Sequence, residues 1–230
     1  DVTSVDFSSR PFKISAGDKS FEAKAVIIAT GASAKWLGLP SEARLRGRGV
    51  SACATCDAPF FKDKKAVVVG GGDTAMDEAI ALAKYAREVT VVHRRDQLRT
   101  SKILQERVFA NKKINFVWNS VVEDILGEQR VEGVKLRNVQ TNMVSTLQTD
   151  AVFVAIGHKP NTDVFRGQID LDQKGYVIVH EGTKTSVEGV FAAGDVANGL
   201  VKQVGTAVGQ AILAANEAYA YVRQPYYYKT

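Results

Sequence analysis

Several kinds of residue and segment are scarce in this sequence. Its 230 residues include two cysteines, two methionines, two tryptophans and three histidines. No apolar run approaches the roughly 18 residues that a membrane-spanning helix needs, so no membrane segment is expected. The first residues show no basic region followed by an apolar core, which argues against a signal peptide and predicts a cytoplasmic protein. The chain begins with Asp1 rather than Met, which leaves room for residues upstream.

Two cysteines are too few for the multi-bridge framework of a small secreted domain. A tetrahedral zinc site would need two further ligands. The chain has no second C-x-x-C motif, and His93, His158 and His180 are far apart in sequence. We therefore expect no bound metal. A lone C-x-x-C pair is more typical of redox chemistry, with two inert buried thiols as the alternative.

The charge balance raises the question of nucleic acid. The net charge is +5 and the pI is about 9.1. However, basic residues are interleaved with acidic ones, and no basic run has aromatic residues placed for base stacking. No nucleic-acid partner is expected. With 45% hydrophobic and 24% charged residues, the composition is that of a globular chain of one or two domains.

The hydrophobic pattern predicts an α/β chain. The first residues indicate short β-strands, and residues 25–29 form a continuous apolar run typical of a buried strand. Residues 37–49, which include a proline and three glycines, are predicted to form a linker or loop. Further strands are expected at 66–69, 88–92, 114–118 and 151–157, a hairpin around Asn142, helices at 74–85, 101–109 and 205 to about 222, and a loose tail at 226–230.

A glycine loop follows the strand expected at residues 66–69. It fits G-x-G-x-x-A, with Gly70, Gly72 and Ala75 at the motif positions and Asp73 and Thr74 between the last two. The first glycine permits a tight turn, the second lets a pyrophosphate approach the backbone, and the alanine keeps the next helix close to the strand. Because the loop lies between a predicted strand and a predicted helix, it predicts a dinucleotide site rather than a purely structural turn.

The end of the next strand indicates which dinucleotide is bound. An NAD site would place Asp or Glu there, to bond the ribose hydroxyls. This chain has His93, Arg94 and Arg95, with Arg99 one helical turn further on. Guanidinium groups pair bidentately with phosphate, so a 2′-phosphate is the natural ligand. The interpretation favours NADPH over NADH, and a solvated basic corner is the alternative.

The cysteine pair has a candidate acid beside it. Cys53 and Cys56 are three positions apart, and Asp57 follows directly. A redox dithiol needs one thiolate to attack and a proton source for the departing thiol. Asp57 is that candidate, although it could instead be a helix N-cap or a surface carboxylate. Together with the dinucleotide loop, the pair predicts reduction of a disulfide with electrons from a nicotinamide.

A flavin is the usual relay between a nicotinamide and a dithiol, because a dithiol accepts hydride poorly on its own. Thr30 with Gly31 and Gly194 with Asp195 both follow apolar strands, and an aspartate there could bond a ribityl hydroxyl. Taken alone, each of these two segments is equally consistent with an ordinary turn.

Together, these motifs resemble those of the low-molecular-weight thioredoxin reductase family. Residues 51–57 resemble its redox-active segment, and residues 70–75 and 93–99 resemble its NADPH signatures. Residues 29–31, 155–162 and 189–195 resemble its flavin-domain and junction motifs. The motifs follow the family's order over nearly the whole chain.

The resemblance implies a two-domain α/β fold of the pyridine nucleotide-disulfide reductase type, with a Rossmann-like NADPH domain inserted in an FAD domain. The expected boundaries are residues 1–34 and 163–230 for the FAD domain and 35–162 for the NADPH domain with the cysteine pair. The resemblance also implies a homodimer, FAD and NADPH as cofactors, and thioredoxin or a similar small dithiol protein as partner.

Particular roles follow from the resemblance. Cys56 would lie next to the flavin, Cys53 would exchange with thioredoxin, and Asp57 would be the acid–base group. The loop and the basic cluster would bind NADPH. The remaining cofactor contacts are expected from the strand ends, the domain junction and the start of the last helix, namely Thr30, Gly31, Ile156, Gly157, Gly194, Asp195 and Gln203.

The chain departs from the family's pattern at its beginning. The family's first strand and G-x-G-x-x-G loop, which hold the ADP half of FAD, have no counterpart before Gly31. We therefore expect the chain to lack about the first quarter of the pattern and to hold FAD weakly. Two alternatives stay open: a reductase of another disulfide or of a peroxiredoxin-type acceptor, and a non-catalytic NADPH-binding fragment.

Overall fold

A computed structural model describes residues 1–199 and 201–223 of the chain. The tail expected at residues 226–230 lies outside the described residues. The strands are β1 (Ser4–Asp6), β2 (Phe12–Ala16), β3 (Lys19–Ala23), β4 (Val26–Ile28), β5 (Ala32–Ala34), β6 (Val50–Ser51), β7 (Lys65–Val69), β8 (Glu88–Val92), β9 (Ile114–Val117), β10 (Ser120–Leu126), β11 (Gly133–Asn138), β12 (Val144–Gln148), β13 (Ala151–Val154), β14 (His158–Pro160) and β15 (Val190–Ala192). The helices are α1 (Pro40–Leu45), α2 (Ala54–Asp57), α3 (Asp73–Ala83), α4 (Lys102–Ala110) and α5 (Val204–Arg223).

The chain divides into two compact units. One, the interrupted unit, consists of Asp1–Ser33 and His158–Thr230, and the other, the continuous unit, is Ala34–Gly157. The continuous unit is thus an insertion within the sequence of the interrupted one. Strands β5 and β14 pair with each other at the two points where the chain passes between units.

The continuous unit is built on a parallel five-stranded sheet in the order β6-β13-β7-β8-β9. From β7 the chain proceeds outward through β8 to β9, and β13 then returns to the other side of β7. The strand order therefore reverses between β7 and β13. In open parallel sheets, ligands bind beyond the carboxyl ends of the strands at such a reversal.

Both faces of this sheet are covered. One face packs on α2, α3 and α4, where Val68 and Met76 are fully buried. The other face packs on α1 and on the antiparallel sheet β10-β11-β12, where Val67 and Val134 are buried. Because successive side chains of a strand point to opposite faces, the valine run of β7 supplies both cores.

The interrupted unit contains the antiparallel sheet β1-β2-β3 and the parallel pair β4-β15. Phe7, Phe12 and Ile28 lie in its core. Helix α5 packs near β15 through Ala214 and Tyr221. Because β4 and β15 are parallel, the segments that follow them leave this pair of strands at the same end.

Two expectations about local structure are wrong. The predicted loop at residues 37–49 contains α1, and Pro40 lies in its first turn. Proline is tolerated there because a backbone N–H at that position would have no hydrogen-bond acceptor within the helix. The strand predicted at residues 25–29 is present as β4, but the expectation that it is buried is wrong, because Ile27 in its middle is 41% exposed.

Candidate functional site

The cysteine turn consists of α2 and Cys53, which precedes it as the N-cap. A disulfide joins Cys53 to Cys56, and their Cα atoms are 5.3 Å apart. The Sγ of Cys53 accepts the N–H of Cys56 at 3.2 Å. Because a helix N-terminus favours negative charge, this position stabilises a thiolate on Cys53 after reduction. Cys53 is half-buried within its unit and Cys56 is exposed.

Asp57 is the last residue of α2. Its N–H donates to the carbonyl of Cys53 at 3.1 Å. Its carboxylate makes no capping hydrogen bond to the 3-10 turn that follows, Ala58–Phe61, so the geometry does not support the N-cap alternative. The carboxylate is half-buried and one residue from Cys56, which is compatible with proton exchange.

Steric contacts explain the glycines of the loop. A Cβ on Gly70 would lie 2.4 Å from the carbonyl oxygen of Ala155, and a Cβ on Gly71 would lie 2.2 Å from the ring of His93. Around Gly72 nothing lies within 4 Å of the position that a Cβ would take. The first two glycines are therefore required by the fold, whereas the third leaves open space at the start of α3.

The remaining loop residues connect it to the basic cluster. Ala75 is fully buried, so that α3 packs closely on the sheet. The carboxylate of Asp73 accepts hydrogen bonds from the hydroxyl of Thr100 and from the backbone N–H of Ser101. Thr74 is exposed. The N–H of Arg99 donates to the carbonyl of Gly71 at 2.8 Å. The two segments predicted to bind NADPH are thus in direct contact.

The basic cluster has a buried and an exposed part. His93 lies beneath Gly71, and its Nε2 has no hydrogen-bond partner among the residues described. Burial lowers the pKa of His93, and the charges of Arg99, Arg95 and Arg94 lower it further against the effect of a backbone hydrogen bond. The ring is therefore neutral at pH 7 and supports the loop. The three arginine side chains, which are exposed, supply the positive charge.

Ile156 and Gly157 follow β13 at the same edge of the sheet as the glycine loop. The carbonyl of Ala155 lies against Gly70, so the two segments meet where the strand order reverses. Ile156 is 40% exposed, which leaves an apolar side chain open beside the loop.

In the interrupted unit, the segment after β4 is bound to Asn161. The hydroxyl of Thr30 donates to the carbonyl of Asn161 at 2.7 Å, and the Asn161 amide donates back to the carbonyl of Thr30 at 2.9 Å. The backbone N–H of Asn161 donates to the carbonyl of Gly31 at 3.0 Å. These bonds fix the backbone of the first segment predicted to contact the flavin.

The segment after β15 is fixed by α5 and by a lysine. Gly194 and Asp195 form a 3-10 turn, and the N–H of Gly194 donates to the side-chain oxygen of Gln210 at 2.8 Å. Lys202 donates to the carbonyl of Asp195 at 3.0 Å. Burial lowers the pKa of Lys202, against the effect of the neighbouring carboxylates. Gln203 is exposed directly before α5.

The predicted residues thus form two groups, one in each unit. The cysteine turn packs against α3, the helix that begins at the glycine loop. In the interrupted unit, the two predicted flavin segments follow adjacent parallel strands. Within residues 1–199 and 201–223 no group of three or more His, Cys, Asp and Glu side chains could hold a metal ion.

Sequence reasoning missed the polar residues that support these groups. Lys202 and Gln210 act through backbone contacts that no motif marks. Asn161 lies in the junction segment 155–162, but its hydrogen bonds to Thr30 are not encoded in that motif. Glu78 does have a signal, because it lies on α3 at helical spacing from the buried Ala75 and Leu82. A carboxylate on the apolar face of a helix is unusual, and this one lies beneath the cysteine turn.

Comparison with known proteins defines the class first. The sequence model of the pyridine nucleotide-disulphide oxidoreductases matches residues 1–211. The thioredoxin reductase of Rickettsia conorii is 52% identical over 222 residues, which cover 94% of this chain and 72% of the relative. That of Streptomyces coelicolor is 50% identical over 220 residues, 95% of this chain and 68% of the relative. The crystal structure of the thioredoxin reductase from Streptococcus pyogenes has a TM-score of 0.89 at 43% identity and covers 96% of this chain and 73% of its own.

The chain therefore belongs to the thioredoxin reductase family, and by homology it is a disulfide reductase. The α/β fold of the pyridine nucleotide-disulfide reductase type that the sequence predicts is confirmed. The chain spans 72% of the length of the Rickettsia relative. No helix in the described part of the chain is long and apolar enough to cross a membrane.

Proposed function

We propose that this chain reduces the disulfide of thioredoxin with electrons from NADPH, through FAD and the Cys53–Cys56 pair. The observation that carries the proposal is the packing of the cysteine turn on α3, the helix that begins at the glycine loop. One element thus positions both the dinucleotide loop and the redox pair. The acceptor is inferred from the relatives, which are named thioredoxin reductases.

The continuous unit has features that fit NADPH. The space at Gly72 lets a pyrophosphate approach the backbone, and the N-terminus of α3 favours its charge. Arg94, Arg95 and Arg99 are exposed beside the loop, where guanidinium groups can pair with a 2′-phosphate. We assign this unit to the NADPH domain expected at residues 35–162, of which residues 158–162 fall in the interrupted unit.

The interrupted unit has features that fit FAD. Thr30 and Gly194 follow two adjacent parallel strands, and ligands of open α/β sheets bind beyond such strand ends. Asp195 can accept a hydrogen bond from a ribityl hydroxyl, and Gln203 is exposed at the start of α5. When bound, FAD supplies the two-electron relay between a nicotinamide and a dithiol. We assign this unit to the FAD domain expected at residues 1–34 and 163–230, although the unit also includes residues 158–162 and excludes Ala34.

The cysteine turn performs the thiol chemistry. Reduction breaks the Cys53–Cys56 bond and leaves one thiol and one thiolate. The thiolate forms a mixed disulfide with one thioredoxin sulfur and displaces the other, and the second cysteine then attacks the mixed disulfide, which re-forms the Cys53–Cys56 bond and releases reduced thioredoxin. The N-terminus of α2 stabilises the thiolate on Cys53. Asp57 exchanges the proton that the departing sulfur needs. In the same proposal the protein is a cytoplasmic homodimer.

A Cys56→Ser variant tests the pathway, with Thr55→Ser, at an exposed position of the same turn, as the control. In a full-length protein, made by fusing the part of the Rickettsia enzyme that this chain does not match, we expect the Cys56 variant to lose thioredoxin reduction while NADPH still bleaches the flavin absorbance. The control should retain both half-reactions. If the Cys56 variant reduces thioredoxin at the unmodified rate, the Cys53–Cys56 pair does not carry the electrons to thioredoxin. Activity with a peroxiredoxin-type acceptor but not with thioredoxin would change the acceptor only.

A further inference from the structure

Glu78 is a buried carboxylate that the reaction described above does not use. It lies on α3 and is 9% exposed. One carboxylate oxygen accepts a hydrogen bond from the backbone N–H of Ala54, the first residue of α2. The other, Oε2, is buried and has no hydrogen-bond partner among the described residues. The structure therefore gives a hydrogen-bond partner to only one of the two carboxylate oxygens.

Its surroundings are apolar. Ala75, Met76, Ala79 and Leu82 of the same helix are fully buried. A charged carboxylate at such a site is costly, so the group is held most easily as a neutral acid. The unpartnered oxygen is the place where a proton would reside.

The elements packed on α3 carry other titratable groups. They are Cys53, Cys56 and Asp57 at the cysteine turn, Lys102, Glu106 and Arg107 on α4, Lys65 on β7 and Glu88 on β8. Burial raises the pKa of Glu78 to about 7, and the N–H of Ala54 opposes that shift. No charged side chain of the described residues contributes to it. The carboxyl group is therefore poised to exchange a proton near neutral pH.

We propose that Glu78 is a positioning residue of the redox pair, which fixes the first turn of α2 through the N–H of Ala54 and takes up a proton when Cys53–Cys56 is reduced. This rests on the pair being redox-active, as proposed above. Reduction consumes two electrons from the reductant and two protons. One proton goes to a sulfur and the other to the Glu78 carboxylate, while the second sulfur remains a thiolate. Protonation removes a negative charge from the N-terminus that stabilises the thiolate.

The test compares the chain with its Glu78→Gln variant, which keeps the oxygen that accepts the N–H of Ala54 but cannot ionise. Asp77→Asn is the matched control, because Asp77 is the exposed neighbour on the same helix. Each protein is equilibrated with reduced and oxidised glutathione between about pH 5.5 and 8.5, and its thiols are trapped and counted. Failure of the unmodified pair to exchange with glutathione would contradict the proposed function itself.

If protonation of Glu78 is coupled to reduction of the cysteine pair, the unmodified chain and Glu78→Gln should have the same redox equilibrium with glutathione at acidic pH. Under those conditions Glu78 is protonated in both redox states. At pH 8.5 the unmodified pair should be harder to reduce than that of Glu78→Gln, by roughly threefold or more, because the ionised carboxylate repels the thiolate. The Asp77 control should follow the unmodified chain throughout. A merely structural role would give a ratio that does not change with pH, and that result would overturn the inference.

A second measurement needs no variant. In the unmodified chain, with ¹³C in the glutamate carboxyl groups, infrared difference spectra of the reduced and oxidised forms at pH 8 report carboxyl protonation. We expect a protonated ¹³C-carboxyl band to appear on reduction. Its absence would show that Glu78 takes up no proton with the electrons.

Discussion

At the scale of single residues, the arginines after β8 determine which dinucleotide is preferred. Arg94 and Arg99 are exposed beside the glycine loop, and NADH lacks the phosphate that they would bind. A charge-assisted contact contributes about 1.5–3 kcal/mol. The double variant Arg94→Ala with Arg99→Ala should therefore weaken NADPH binding by at least about tenfold and NADH binding little, as measured by calorimetric titration.

The matched control is Arg87→Ala. Arg87 is also exposed, but it precedes β8 and so lies at the opposite edge of the sheet from the loop. This variant should bind both dinucleotides like the unmodified chain. Equal losses of NADPH and NADH in the double variant would contradict the assignment of the cluster to the 2′-phosphate.

Glu78 also gives stability a dependence on pH. Burial raises its pKa from 4.5 to about 7 in the folded chain. Between these two values the folded state binds more protons than the unfolded state, so stability falls as pH rises through this window. Relative to Glu78→Gln, the unmodified chain should lose up to about 3 kcal/mol between about pH 4.5 and 7, and no more above it. Urea denaturation of both proteins at several pH values measures this difference.

At the scale of secondary structure, the sequence predicts regular elements well and irregular ones poorly. The strand expected at residues 88–92 is β8, because its five residues are apolar apart from Glu88 and Thr90. The sequence pattern does not predict strand β10, because two adjacent acidic residues interrupt it and a β-bulge between Val122 and Asp124 breaks its alternation. Its Glu123 pairs with Arg137 of β11 at 2.6 Å, a contact that no local pattern contains.

The same contrast holds for the candidate site. Cys53, Gly70 and Arg99 belong to motifs whose spacing predicts their chemistry, and their functional roles stay predictions. Glu78 belongs to no such motif, and Asn161 lies in the junction segment 155–162 without any sign of its contact with Thr30, because each acquires its role from a partner distant in sequence. Their contacts with Ala54 and Thr30 arise only when the helices and strands pack.

Helix α5 presents apolar side chains that its own unit does not cover. Val208 is 52% exposed, and Ile212, one turn further on, is 60% exposed. Residues four apart lie on the same face of a helix, so the two form a continuous apolar surface. Replacing both with Gln should reduce self-association of the 230-residue chain, measured by sedimentation velocity.

The control is Phe60→Gln in the continuous unit, where Phe60 is 80% exposed. It removes an apolar side chain of at least equal exposure that lies outside α5. We expect association to persist in this variant and to decrease in the α5 variant. The reverse result would show that association does not depend on α5.

At the scale of the whole molecule, each unit should retain a different part of the function. The residues assigned to NADPH lie in the continuous unit, which has two buried cores on the faces of one sheet. In the interrupted unit, β4 belongs to a sheet of two strands within the described residues. A strand with an open edge can pair with another chain. The matched relatives are longer than this chain, which spans 72% of the Rickettsia enzyme.

A preparation of only these 230 residues should therefore bind NADPH normally, hold FAD weakly, reduce thioredoxin poorly and tend to associate. The physical reason is that a pyrophosphate in the FAD domain needs its own helix N-terminus, and we find no glycine loop for it before Gly31. Fusing the part of the Rickettsia enzyme that this chain does not match should increase both the flavin absorbance and the rate of thioredoxin reduction. NADPH affinity, as the internal control, should remain unchanged. Stoichiometric FAD in the unfused chain, with a reductase rate equal to that of the fusion, would show that these residues alone form a complete flavin site.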